Sequence, residues 1–277
     1  MSQISLSKSV RQNLMSLQQT ADLMGVAQQR LSSGKRVNSA MDNASNYFTS
    51  SSLNSRASDL SNLLDGISNA TKTLEAANNG ITAIKKLVES AQSTMRQAAA
   101  TDATDTTTLG KLETQYNETL SQIDKMAKDS GFNGVNLLDG GADPFKVTFN
   151  EKTGADKNEL AIDHVDGSAT GLGLTTIASG ALDLTAAEAN LDLLNTALTS
   201  LRSFASTFGS NATTIQIRQD FTKATVSTLK TGADNLVNAD INEEAANLLA
   251  LQTRQSISQS ALSMANQQDQ AVLRLFG

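Results

Sequence analysis

LNSRASDLSNLLDGISNATKTLEAANNGITAIKKLVESAQSTMRQA, residues 53–98, sets the architecture of this chain. Leu53, Ala57, Leu60, Leu64, Ile67, Thr71, Leu74, Asn78 and Ile81 follow one another at alternating steps of four and three residues. After a one-residue slip the row continues through Ile84, Val88, Ala91, Met95 and Ala98. That alternation keeps side chains on one narrow stripe of an α-helix, the seam of a coiled coil. At the α-helical rise the segment would form a rod about 70 Å long, more than a globular domain needs. Gly66 and Gly80 each cost such a helix about 1 kcal/mol, which packing must offset.

The same spacing returns at Ala187, Leu191, Leu194, Leu198, Leu201, Ala205, Phe208, Ala212 and Ile215, with Phe221, Val226 and Leu229 extending it towards a stop or bend near Gly232. Leu109, Leu112, Tyr116, Leu120, Ile123 and Met126 mark a shorter helix that follows a Thr- and Asp-rich turn and ends at Ser130-Gly131. Ser39 with Asp42, and Thr185 with Glu188, stand three apart before periodic stretches and read as capping boxes. Phe145, Val147 and Phe149, then Leu160, Ile162 and His164, alternate with polar or small residues, so two short strands form a hairpin.

Both ends carry further stripes. Val10, Leu14, Leu17, Ala21, Met24 and Leu31 lie near the start; Ile241, Ala245, Leu248, Ile257, Ala261, Met264, Ala271 and Leu275 lie near the finish, with a phase slip between Leu248 and Ile257. Neither stripe has a partner within its own segment, so each calls for the other terminus or further copies of the chain; exposed, it is an aggregation patch. We read these residues as a polymerisation seam.

Composition agrees with helices. Of 277 residues 39% are hydrophobic but only 4% aromatic, with no Trp and one Pro, so burial must come from small aliphatic knobs. The fold class expected is mainly α: an elongated antiparallel helical bundle or coiled coil with a small β-hairpin region. A net charge of −6 and no basic cluster argue against nucleic acid binding. No run reaches the apolar length of a membrane span, and the first thirty residues hold no continuous apolar signal region.

Catalytic chemistry is nearly absent. His164 is the one histidine, so no two-histidine zinc site exists, and the glycines at 171 and 173 or at 34 complete no phosphate-binding loop. Glu243-Glu244 sits at a helix start, where acidic residues suit the dipole. Absence of Cys excludes disulfides and thiolate chemistry. Neither an enzyme nor a cofactor is expected.

Three stretches carry a resemblance. Leu31-Ser-Ser-Gly34-Lys-Arg36-Val-Asn38-Ser39-Ala40-Met-Asp42-Asn-Ala44 resembles the N-terminal signature of bacterial flagellins, LS-[ST]-G-x-[RK]-[IV]-NSA-x-D-[DN]-A. Phe132-Asn133-Gly134 through Leu137-Leu138-Asp139-Gly140 is similar to that family's FNG-x-x-LLDG turn, and Ala265-Asn266-Gln267 through Leu275 to its ANQ ending. The resemblance implies a structural subunit that polymerises into the extracellular flagellar filament. It further implies termini that are disordered in the free monomer and pair as coiled coils on assembly, and export through the flagellar type III apparatus. The partners it implies are other flagellin subunits, alone or mixed, an export chaperone on the C-terminal helix, and hook-associated junction and cap proteins. Domains would run over 1–43 (inner coiled coil, D0, and connecting spoke), 44–235 (rod-like core, D1, with the hairpin at about 140–180) and 236–277 (the rest of D0). Only a short region separates Gly140 from Thr185, so this would be a minimal flagellin. Gln92–Gln97 lacks the leading Arg and Glu of the family's innate-receptor stretch, which removes the basis for expecting that recognition. A hook–filament junction protein is the nearest alternative, but it usually carries Pro after its acidic pair and lacks the ANQ ending. A different class would be an exported helical adaptor or adhesin.

Overall fold

A computed structural model describes the backbone of residues 8–276, with the side chains of residues 8, 10–268 and 270–271. Among the described residues are five α-helices: α1 (Lys8–Ser33), α2 (Ala44–Ala100), α3 (Thr106–Asp129), α4 (Leu184–Val237) and α5 (Ile241–Phe276). Strands β1 (Phe145–Thr148) and β2 (Glu159–Ile162) lie between α3 and α4 and pair antiparallel, Phe145 opposite Ile162 and Thr148 opposite Glu159. The chain divides into two compact units, residues 57–227 and the two terminal stretches 1–56 and 228–277. The limits of these units fall inside α2 and α4.

In residues 57–227 the long stripes meet. Ile67, Leu74, Ile84, Val88 and Met95 of α2 join Tyr116, Leu120 and Ile123 of α3 and Leu194, Leu201, Phe208 and Ile215 of α4 in one buried cluster. Polar side chains inside it are matched: Gln92 donates to Asn195 at 2.8 Å, and the Tyr116 hydroxyl donates to Asn190 at 3.1 Å. The row on α4 continues through Thr222 and Val226, while Phe221 turns outward. Gly232 does not stop the helix, which runs to Val237.

The turn after α3 is built by its own sequence. Asn133 and Gly134 take φ of 49° and 80°, and the Phe132 and Val135 N–H groups donate to each other's carbonyls, closing a tight two-residue loop. The Asn136 amide then caps the end of α3 by donating to the carbonyls of Ala127 and Lys128. Leu137 and Leu138 drop into the cluster, held by the N–H groups of Val165 and Gly167 on their carbonyls. Arg218 lies over the Phe149 ring, 5.6 Å from its centroid, and fastens the hairpin end to α4.

Helix starts differ from the expected boxes. Asn43 caps α2 by accepting from the Asn46 N–H, and Asp183 caps α4 by accepting from Ala186. Asp42 instead folds back onto Asn38 and Ser39.

Candidate assembly surface

α1 and α5 pack against each other in residues 1–56 and 228–277. They run antiparallel: Arg30, near the end of α1, pairs with Glu244 in the first turn of α5 at 3.0 Å. Glu244 is buried, so Arg30 supplies the charge that makes its burial tolerable.

The connections between helices fix this pairing. Gly34 takes φ 68°, a left-handed turn that ends α1, and its carbonyl accepts from the Ala239 N–H. The Arg36 and Val37 N–H groups donate to the Val237 carbonyl at 2.7 and 3.1 Å, laying the α1–α2 link across the α4–α5 link. Asn38 donates from its amide to the Lys35 carbonyl, and the Asp42 carboxylate accepts from the N–H groups of Asn38 and Ser39 and from the Ser39 hydroxyl. Those donors, the Ser39 N–H foremost, hold the Asp42 carboxyl below its ordinary range. Gly34, Asn38, Ser39 and Asp42 of the signature thus build one crossover. Leu31 is half-buried at the end of α1, Arg36 contributes its backbone, and Ala40 is half-buried in the link.

The terminal stripes divide in two. Val10 is buried, and Leu17, Met24, Leu31, Ala245, Leu248 and Ala261 are half-buried, consistent with places on the paired faces. Leu14, Ala21, Ile241, Ile257, Met264 and Ala271 face solvent and are not on the seam between the two helices. Leu275 lies outside the described side chains. Thr20 and Ala27 on α1 are buried, and Leu251, Gln255 and Ser258 on α5 are half-buried. The inward row of α5 therefore runs on without the expected slip. Gln255 and Ser258 concealed it, because their polarity hides the period.

Outward, α1 also presents Met15, Leu23 and Val26, and α5 presents Leu249; Ile257 and Leu249 are both 64% exposed. A groove of about 370 Å³ lies between the helices, lined by Leu23, Val26, Ala27 and Leu251 and bounded by Arg30 and Glu244. Of the ending motif, Ala265 is half-buried while Asn266 and Gln267 are exposed on α5. In the other unit Phe132 is exposed at the tip of its turn with Asn133 and Gly134.

His164 is engaged structurally: its Nδ1 lies 2.7 Å from the Asp139 carboxylate, which also accepts from the Gly141 N–H. Partial burial would raise the Asp139 carboxyl, but these bonds outweigh it and the net shift is downward. Among the described residues no group of three His, Cys, Asp or Glu side chains is placed to hold a metal, and no helix is long and apolar enough to cross a membrane.

Comparison with known proteins agrees with this architecture. Residues 4–143 match the model of the bacterial flagellin N-terminal helical region, and residues 191–276 match that of the C-terminal helical region. Flagellin FljK of Caulobacter vibrioides is 29% identical over 267 residues, covering 95% of this chain and 94% of that protein. A flagellin of Brucella melitensis is 28% identical over 272 residues, covering 95% of each. The crystal structure of Bacillus cereus flagellin is similar over 56% of this chain and 86% of its own, at 22% identity and a TM-score of 0.46. Residues 144–190, between the two matched regions, hold the hairpin, the loop after it and the first turns of α4, with no room for a large outer domain. The chain belongs to the bacterial flagellin family and is a structural subunit of the extracellular flagellar filament, not an enzyme.

Proposed function

We propose that the outward rows of α1 and α5 are the surface on which the filament is built, each copy laying Leu14, Leu23, Leu249 and Ile257 against the terminal helices of its neighbours. One observation carries this: in the α1–α5 pair the half-buried and buried positions include Ala, Thr, Gln and Ser, while bulky Leu, Ile and Met side chains point to solvent. Burying side chains of this size, between 42% and 64% exposed beforehand, contributes about 1–2 kcal/mol per contact. Several such contacts per subunit hold a polymer without any single strong bond. The modest inward face also leaves the α1–α5 pair only marginally stable by itself, since isolated amphipathic helices are marginal in water, and neighbours that cover the outward rows would reinforce it.

Flagellins polymerise with other flagellin subunits, mixed assemblies included. In the finer reading, residues 1–43 and 236–277 form the inner coiled-coil domain and 44–235 the core. An export chaperone covers the apolar row of α5 before secretion, and junction and cap proteins with terminal helices of their own continue it at the filament ends. The test is seeded elongation of the acid-dissociated protein, followed by electron microscopy. Leu14→Asp and Ile257→Asp should each abolish long filaments while far-UV circular dichroism keeps the helical signal of residues 57–227. Normal filaments from both variants would overturn the proposal.

A further inference from the structure

We infer that Met15 and Met264 are oxidation sites at which a peroxide disables the assembly surface of the free subunit. The inference rests on the assembly reading above and adds a chemistry to it. The chain has no Cys and no Trp, so its thioethers are its most readily oxidised side chains. Their environments differ sharply. Met95 is fully buried and Met24 and Met126 are half-buried, whereas Met15 is 62%, Met264 60% and Met41 97% exposed. Met15 stands on α1 and Met264 on α5, on the outward rows; Met41 sits in the link before α2.

The step balances with hydrogen peroxide as the oxidant. The thioether sulfur attacks one peroxide oxygen, the O–O bond breaks and an S–O bond forms. The departing hydroxide takes up the proton and leaves as water, so sulfur is oxidised by two electrons and the peroxide reduced. The sulfoxide is polar and chiral, and its oxygen is a strong acceptor. Set into an apolar row facing a neighbour's Leu and Ile side chains, that oxygen would be buried without a donor. In an assembled filament the same two sulfurs are covered. Damage is therefore confined to subunits that have not yet joined, and it is reversible, because methionine sulfoxide reductases restore the thioether.

The test treats the full-length monomer with graded hydrogen peroxide, maps sulfoxides by peptide mass spectrometry and measures seeded elongation. Met41 should oxidise first, Met15 and Met264 next, and Met95 last. Elongation should fall by at least about tenfold once Met15 and Met264 are both sulfoxides, since each removes an apolar contact. Treatment with both sulfoxide reductases should restore it. The Met15→Leu/Met264→Leu double variant should keep its untreated rate after the same exposure, and preformed filaments should leave both methionines unmodified. Undiminished elongation with both residues oxidised would overturn the inference, as would equal loss in the double variant. Failure of the assembly reading itself looks different: Leu14→Asp, run alongside, would then elongate normally.

Discussion

Gly80→Ala should weaken the unit formed by residues 57–227, whereas Gly66→Ala, fourteen residues earlier in the same helix, should strengthen it. Both substitutions bring the same intrinsic gain, about 1 kcal/mol, by replacing the most flexible residue with the best helix former. What differs is the space. A Cβ on Gly66 would meet nothing within 4 Å. A Cβ on Gly80 would lie 2.0 Å from Ser130 Oγ, 2.5 Å from Ser130 Cβ and 2.9 Å from a Leu138 methyl. The hydroxyl could rotate away, but Ser130 Cβ is fixed to the backbone that ends α3, and Leu138 is fully buried. α2 and the exit of α3 must therefore separate by roughly 1 Å, and overpacking of that kind costs about 1–3 kcal/mol. Three approaches under 3.0 Å, one of them to a Cβ that cannot turn aside, place the cost at the upper end of that range, so against the helix gain a net loss of about 2 kcal/mol follows. For a unit of this size that lowers Tm by about 4–8 °C, while Gly66→Ala raises it by about 2–4 °C. Thermal unfolding followed by circular dichroism on the dissociated subunit reads both. Adding Ser130→Gly to Gly80→Ala removes the two nearest obstructing atoms and leaves only the Leu138 methyl, so the pair should couple by more than about 1 kcal/mol in a double-mutant cycle. A Gly80→Ala protein as stable as the parent, or additive with Ser130→Gly, would refute the close approach.

Two further outcomes concern titration. Burial pushes the Tyr116 phenol from 10.0 up to about 12, so folded-state stability holds below pH 10 and falls by about 2–3 kcal/mol as pH rises to about 12. Tyr116→Phe should abolish that alkaline loss yet cost about 1 kcal/mol near neutrality, because Asn190 loses its donor; denaturant unfolding at both pH values tests this. At the acid end, the Asp42 carboxyl is held below 3.8 by the N–H groups of Ser39 and Asn38. Its contribution to the crossover is present above that value and lost as pH falls through the lowered one. Asp42→Asn should therefore weaken the 1–56/228–277 unit at neutral pH and flatten its acid limb; hydrogen exchange in α1 and α5 against pH would show parallel curves if Asp42 were idle.

The stripes on α2 and α4 were legible because the helical period has many turns in which to declare itself. From Ala57 to Ala98 and from Ala187 to Ile215 every residue of the alternating rows is buried or half-buried. Boundaries were less legible. Asp42 lies beside Asn43, and Thr185 follows close on Asp183, so several residues could each have capped the same turn. Only the competition for N–H donors decides among them, and Asn43 and Asp183 win. Phe221 misled for another reason: hydrophobicity marked it as core, but phase gave the inward place to Thr222. Gly66 and Gly80 looked alike for want of any local signal, since what separates them is the approach of Ser130, fifty residues along the chain from Gly80.

The terminal helices were the hardest to read because two stripes overlap on each. Residues 10, 17, 24 and 31 of α1 step by sevens and turn inward; Leu14, Met15, Leu23 and Val26 fill the gaps and turn outward. A single row drawn through both sets passes from one face to the other, which is how Leu14 and Val10 came to share a seam. The assignment of size to face then inverts between units. In residues 57–227 the large Leu, Ile and Phe side chains converge in the core, whereas in α1 and α5 many of the large ones stay outside and small or polar residues help fill the gap. That inversion is costly for a lone chain, since each exposed Leu or Ile forgoes the burial a partner face would give it. It becomes favourable when the neighbour is another copy, because the outward row of α1 can then meet the outward row of α5 on the next copy, and such a heterologous contact, when it never closes on itself, propagates as a helical polymer.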